Sequence, residues 1–493
     1  MKLNRLLLLF VLTSGVFLTS CSKDNNDEVK KVTPGEQNQG ETRNLEVENF
    51  IYAGMNEIYL YKANVPELAD NHFTTQTALD DYLAGFADPE DLFYNGLVDS
   101  ANDRFSFLST DYVALEKMLY SGTTTSSGMD YGLSLYSNTS NKVLGYVRYV
   151  SPNSPASEAG LERGDIFTQI NGEQLTKENY QHLIGLESWT LTMGKLQNGS
   201  IVDTDETVDI TKREYTEDPV FMTKVLDVDG QKVGYLMYNG FISDFDAELN
   251  NAFADFKAEG ITDLVLDLRY NGGGSVETSV DLSSMITGQF EGEVFSREHW
   301  NTAYQNYFEQ NAPDRIINKF NNKISTGEAI NSLNLDEVYI IATGSTASAS
   351  ELVINCLEPY INVVQIGTST VGKFQASVTL YDSPNFGREN ANPDHTYAIQ
   401  PLVLKNENAN GKSDYVNGLD PDIEVKEYID TMGTLGDPSE PLLNAAIEAI
   451  KGNHQAIVQM KDSPFRTIGE KGEDQPTYQR MYIDKLPAVL KNR

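Results

Sequence analysis

Gly344-Ser345-Thr346-Ala347-Ser348-Ala349-Ser350-Glu351 leads directly into the apolar run Leu352-Val353-Ile354-Asn355-Cys356-Leu357, and Gly372-Lys373 follows, the lysine 25 residues after Ser348. Small residues around a serine just ahead of an apolar run predict a nucleophile at the first turn of a buried helix. There, backbone N–H groups and the helix dipole can stabilise an oxyanion. A serine needs a base, and a lysine can serve when burial lowers its pKa toward neutrality. Taken alone, a Ser/Ala/Gly stretch reads as a loop and Lys373 as a surface lysine, so the inference rests on the pair.

The surrounding text supplies strands and helices to carry such a turn. Val338-Tyr339-Ile340-Ile341-Ala342 is a strand delivering Gly344 and Ser348. Asp263-Leu264-Val265-Leu266-Asp267-Leu268-Arg269 is a buried-type strand feeding Tyr270-Asn271-Gly272-Gly273-Gly274. Val233 to Tyr238 is a further strand, Asp244 to Ala258 an amphipathic helix closed by Gly260, and Ser279 to Ile286 a helix. This αβ repetition predicts a sheet covered by helices. The Asn-rich stretch from Phe290 to Leu333 reads as an insertion or lid, and the polar tail after Ile450 carries no readable role.

Two other textures precede this region. From about Asn44 to Leu119, apolar residues return at three- and four-residue spacing (Met55, Ile58, Tyr59, Tyr61), which predicts a small helical domain or cap. From Gly122 to Lys212 the chain alternates short strands and turns, as in Tyr131 to Tyr136 and Leu144 to Val150. Ser154-Pro155-Ala156, Ala159-Gly160-Leu161 and Gly164-Asp165-Ile166 then lead to Ile170-Asn171-Gly172. That ordered text resembles a PDZ domain, a module that adds an extended peptide as a strand beside a sheet edge. The resemblance implies that a loop before the first strand, here Tyr131-Gly132-Leu133, cradles a terminal carboxylate. Gly132 reads equally as a simple strand bend.

Asp267 to Gly274, Thr346 to Glu351 and Gly372-Lys373 together resemble the S41 family of C-terminal processing, or tail-specific, serine peptidases, over roughly Gly122 to Val425. The resemblance implies a crotonase-like catalytic domain with Ser348 as nucleophile and Lys373 as general base and then acid. It implies an oxyanion hole from the N–H of Ala349 and a second N–H from Gly273 or Gly272. Ser350 is the rival nucleophile, and the family text favours Ser348. Many members carry a glutamine four residues past the lysine; here that position is Ser377, so either Ser377 or Gln375 is expected to orient Lys373.

The chain has 493 residues, enough for about two to four domains, with 37 basic and 72 acidic side chains and a net charge of −35. Such a surface repels phosphate backbones, which argues against nucleic-acid partners. The five histidines are scattered, and no Cys/His or carboxylate pattern predicts a metal or any other cofactor. Of two cysteines, Cys356 is expected to be a buried core thiol. Cys21 follows Lys2 and Arg5, an apolar core from Leu6 to Leu12, and Leu18-Thr19-Ser20. That order predicts a secretory leader and resembles a bacterial lipoprotein signal, which implies lipidation of Cys21. Acidic residues after it resemble surface-export signals of some Bacteroidetes lipoproteins.

The expected fold class is multidomain α+β: a leader over 1–20, a tether over 21–43, a helical domain over 44–121, a PDZ-like domain over 122–212, a peptidase domain over 213–455 and an extension over 456–493. The expected function is a Ser-Lys endopeptidase acting on protein or peptide tails, held to the cell envelope only by its N-terminal lipid, on the periplasmic face or the surface of the outer membrane, with oligomeric state open. Alternatives are a catalytically silent peptide-binding lipoprotein and a small-molecule acyl-transfer enzyme. The PDZ-like text argues against the latter.

Overall fold

The computed structural model describes residues 43–453, 465–473, 475, 477–487 and 490. Cys21, with the expected leader and nearly all of the tether, lies outside the described residues.

Helix α1 (Glu46–Ile58) carries two acids in its first turn, where they oppose the helix dipole favourably, and buries Phe50, Ile51, Met55 and Ile58. That face joins the same core as Leu236, Leu264 and Leu352 from the αβ region. Phe107–Ser109 also pairs antiparallel with Ala398–Gln400, tying this segment to the later chain.

The PDZ-like region is an antiparallel sheet of β1 (Met129–Leu135), β2 (Val143–Val150), β3 (Ile166–Ile170), β4 (Ser188–Gln197) and β5 (Ser200–Thr211), with the short helix α2 (Tyr180–Gly185). Met129, Leu133, Val147, Phe167, Trp189 and Leu191 form its own core. Tyr131-Gly132-Leu133 was expected in a loop ahead of the first strand. It lies instead inside β1, paired with Val147, Tyr146 and Gly145. Gly132 is required by packing: a Cβ there would meet the Tyr146 ring at 2.3 Å.

The αβ region holds β6 (Val220–Val228), β7 (Gln231–Tyr238), helix α3 (Asp246–Glu259), β8 (Asp263–Asp267), β9 (Gly274–Ser275) and helix α4 (Val276–Ile286). It continues with β10 (Val294–Trp300), β11 (Ile317–Lys319), β12 (Glu337–Ala342), helix α5 (Ala349–Leu357), β13 (Asn362–Gly367), β14 (Gln375–Ser377), β15 (Leu402–Asn408), β16 (Ile423–Glu424) and helix α6 (Pro441–Ile450). One sheet runs β6-β7-β8-β12-β13-β16, parallel except for the edge strand β6. Both of its faces are buried. Leu236, Leu264, Leu266, Val338 and Ile340 point into the large core, while Tyr235, Val265, Tyr339 and Ile341 pack against α6. The period-two alternation of apolar side chains on both faces is what a helix-covered sheet demands.

A second sheet contains β9, β14, β15, β10 and β11. The Asn-rich stretch read as an insertion or lid is therefore structural. β10 pairs with β15, and Phe295, Trp300, Phe308 and Phe320 enter the main core. The tail after residue 464 contributes β17 (Arg466–Glu470) to the edge of β1 and β18 (Met481–Tyr482) between β9 and β14.

Candidate active site

Three turns converge at the carboxyl ends of β8, β12 and β13. The first is anchored from below by Arg269, fully buried, whose guanidinium donates to Asp267 and to both oxygens of Glu440. Above it, Asn271 Nδ2 donates to the Tyr238 carbonyl at 2.8 Å, and the Asn271 carbonyl accepts from Ala347 N–H and from Ser350 Oγ, both at 3.1 Å. Ser350 is thereby committed to holding two turns together.

Gly273 has φ +104°, and a Cβ on it would lie 2.5 Å from Ser348 Cβ, so only glycine fits beside this serine. Its own N–H donates to Asn271 Oδ1 at 2.9 Å. The N–H expected to serve an oxyanion is thus engaged within the turn, because Asn271 folds back on it. Gly272 is the neighbouring candidate.

Ser348 caps α5 with φ +63° and ψ −116°, a backbone that L-residues adopt only under strain. Its N–H donates to Glu351 Oε2 at 2.8 Å. The Ala349 N–H opens the helix and has no intrahelical partner. The same Glu351 carboxylate accepts from Gly372 N–H at 2.7 Å, Lys373 N–H at 2.8 Å and the Thr370 hydroxyl. One buried side chain therefore joins the serine turn to the lysine turn. Burial pushes the Glu351 carboxyl above its ordinary range, and the four donors pull the other way.

Lys373 is completely buried, and its Nζ has no hydrogen-bond partner among the described residues. It lies 4.7 Å from the centre of the Phe105 ring. Burial holds its pKa well below the usual lysine value; the Arg480 and Arg104 charges lower it further, while Asp103 and Glu351 oppose. The expected orienting groups point elsewhere. Ser377 Oγ donates to Gln400 Oε1 at 2.7 Å, and Gln375 Nε2 donates to Tyr61 at 3.0 Å. Backbone register decides this, because β14 is bound on one side to β15 and on the other to β18.

Ser348 Oγ donates to the carbonyl of Gln479, at 2.9 Å. Gly132 and Leu133, the expected peptide-binding residues, pair with Glu470 and Gly469. Cys356 is a buried free thiol, as expected. Among the described residues no group of three or more His, Cys, Asp or Glu is arranged to hold a metal, and no helix is long and apolar enough to cross a membrane.

Glu351, Asn271, Phe105 and the tail residues were not singled out from the sequence. Glu351 alone had a local signal, since Ser-x-x-Glu ahead of an apolar run is a helix-capping pattern.

Family models match in chain order: a peptidase S41 N-terminal domain over residues 46–107, a PDZ domain over 146–186 and peptidase family S41 over 232–425. A crystal structure assigned to the S41 proteases, from Bacteroides fragilis NCTC 9343, is 29% identical with a TM-score of 0.64, covering 82% of this chain and 97% of that one. The carboxyl-terminal-processing protease of Picosynechococcus sp. is 27% identical over 45% of this chain and 49% of its own length. The chloroplastic carboxyl-terminal-processing peptidase 3 of Arabidopsis thaliana is 25% identical over 50% of this chain and 46% of its own. The chain spans about half the length of these curated relatives. Fold and domain set define a PDZ-bearing α+β chain whose residues 232–425 are similar to peptidase family S41 and whose residues 46–107 are similar to the N-terminal domain of that family.

Proposed function

We propose that the protein is a serine endopeptidase in which Ser348 attacks a peptide carbonyl and Lys373, neutral at working pH, takes the serine proton and passes it to the leaving amine. The observation that carries this reading is the shared Glu351 carboxylate, which fixes the serine and lysine turns to one another. A fully buried lysine with no bonded counter-ion among the described residues is what a neutral general base requires. The Ala349 N–H and an N–H of the Gly272-Gly273 turn would receive the oxyanion.

Substrates are recruited near their C-termini by strand addition to the edge of β1. Lipidation at Cys21 anchors the chain in the cell envelope, a reading that rests on the sequence around that cysteine; Cys21→Ala should release the protein into the soluble fraction.

A catalytically silent peptide binder is the second reading. The missing Ser348–Lys373 bond favours it. Cleavage of unstructured peptides bearing a free or an amidated C-terminus separates the two. The peptidase reading expects cleavage that Ser348→Ala abolishes, and a loss on amidation of about ten- to a hundredfold in kcat/KM, the worth of one charge-assisted set of hydrogen bonds. No cleavage under any condition would leave the silent binder.

A further inference from the structure

The described tail residues between Arg466 and Asp484 touch both the β1 edge and the serine that the peptidase reading assigns to substrate. β17 adds antiparallel to β1, with Arg466 opposite Leu135, Thr467 opposite Ser134, Gly469 opposite Leu133 and Glu470 opposite Gly132. Ile468 packs on the PDZ-like core, a cluster that includes Leu183 and Ile184. The Glu470 carboxylate then accepts from Arg148 Nη1 at 2.5 Å, from Ser345 Oγ and from the Tyr478 hydroxyl. The Gln479 backbone lies over Gly272, and its carbonyl accepts a hydrogen bond from Ser348 Oγ. The Arg480 guanidinium shares the Phe105 ring with Lys373, at 5.8 Å from its centre. β18 follows between β9 and β14, and Asp484 accepts from Ser275 Oγ at 2.6 Å.

The contact is not poised for reaction. Ser348 Oγ donates to the Gln479 oxygen, Gly273 N–H bonds Asn271, and Lys373 Nζ bonds neither Ser348 nor any other described residue. A peptide held this way blocks the nucleophile without receiving attack. We propose that the tail residues 466–473 and 477–484 act as an inhibitor carried in the same chain, occupying the peptide-binding edge of β1 and the serine together. A substrate strand that takes the β1 edge must displace β17, because one sheet edge holds one added strand. Gln479 follows Glu470 by nine residues and precedes β18 by two, so losing the Glu470 anchor loosens the segment over Ser348 from its upstream side while β18 still tethers it downstream. Peptide binding at the PDZ-like sheet thereby activates. This inference rests on the peptidase reading and names its regulation.

The test uses the full chain in three forms: wild type, Glu470→Ala, and a Ser134→Cys/Thr467→Cys pair that can staple β17 to β1. Hydrogen exchange over 466–471 reports whether the tail is free, and mass spectrometry reports the staple. Labelling by a fluorophosphonate and cleavage of an unstructured free-acid peptide report the site. Glu470→Ala should speed tail exchange and raise both rates by about tenfold or more, since it removes charge-assisted bonds. The oxidised pair should lose both rates by a similar factor and regain them with reductant. Rates that ignore a freed or stapled tail would overturn the inhibition and leave the peptidase standing. Silence in every form, with the tail shown free by exchange, would overturn the peptidase reading itself.

Discussion

Ser348 and Gln479 share a hydrogen bond in which the serine hydroxyl donates to the main-chain carbonyl at 2.9 Å, although 131 residues separate them in the chain. The hydroxyl is thereby occupied, while Lys373 is buried with no hydrogen-bond partner for its Nζ among the described residues, and the backbone of Ser348 is held in a strained conformation.

That strain has a measurable consequence. At φ +63° and ψ −116° a glycine is relaxed where serine or alanine is not. Ser348→Gly should unfold at higher denaturant than Ser348→Ala, by about 1 kcal/mol, the strain of such a backbone less the entropy lost by glycine. Both variants should lose activity. Equal stabilities by urea unfolding would mean that the turn stores no strain.

Lys373 should give stability a pH slope. Its folded-state pKa lies well below the ordinary 10.5, so between the two values the unfolded chain binds more protons than the native one. Stability therefore rises with pH across that window. Below the lowered value the buried charge is carried in full and stability is least. Lys373→Met removes the slope, so its stability advantage over wild type should be largest at low pH and shrink as pH approaches 10.5. Peptidase activity should rise with pH through the lowered pKa and vanish in the variant. An advantage that does not change with pH would mean that Lys373 is neutral throughout or solvated.

Glu351 accepts four donors from two turns. Glu351→Gln replaces one acceptor oxygen by an amide that faces N–H groups, leaving buried donors unmet at about 1–3 kcal/mol each. Urea unfolding should show the loss, and kcat should fall with little change in KM, because the turns and not the peptide groove are disturbed. A loss confined to KM would assign Glu351 to substrate binding.

Arg269 holds the glycine turn through Asp267 and Glu440 with no access to solvent. Arg269→Met would strand two buried carboxylates and should cost about 3–5 kcal/mol, read by thermal or urea unfolding. A near-neutral change would show that the carboxylates find protons instead.

The parts of the fold and site written in local text are legible in the sequence. Ser348 at the start of a helix, Gly273 in a strand-to-helix turn and the alternation in Val233 to Tyr238 each depend on neighbours a few residues away. What escaped was set by pairing across the chain. β17 and β18 are five and two residues long, carry no periodicity, and meet partners more than a hundred residues upstream. The Asn-rich stretch reads as a lid because β10 and the helix Thr302–Asn311 dilute their core aromatics, Phe295, Trp300 and Phe308, with polar residues. Gly132 was read for its freedom, while the reason for it is the Tyr146 ring crossing from the next strand.

The central claim is that Ser348 is the nucleophile of a Ser-Lys peptidase. Its most direct test is mass-spectrometric mapping of the adduct left by a fluorophosphonate on the full chain, with Lys373→Met in parallel. A single adduct on Ser348 that is absent from the Lys373→Met protein is the predicted result. An adduct on Ser350, or an equal yield on Ser348 without the lysine, would contradict the account.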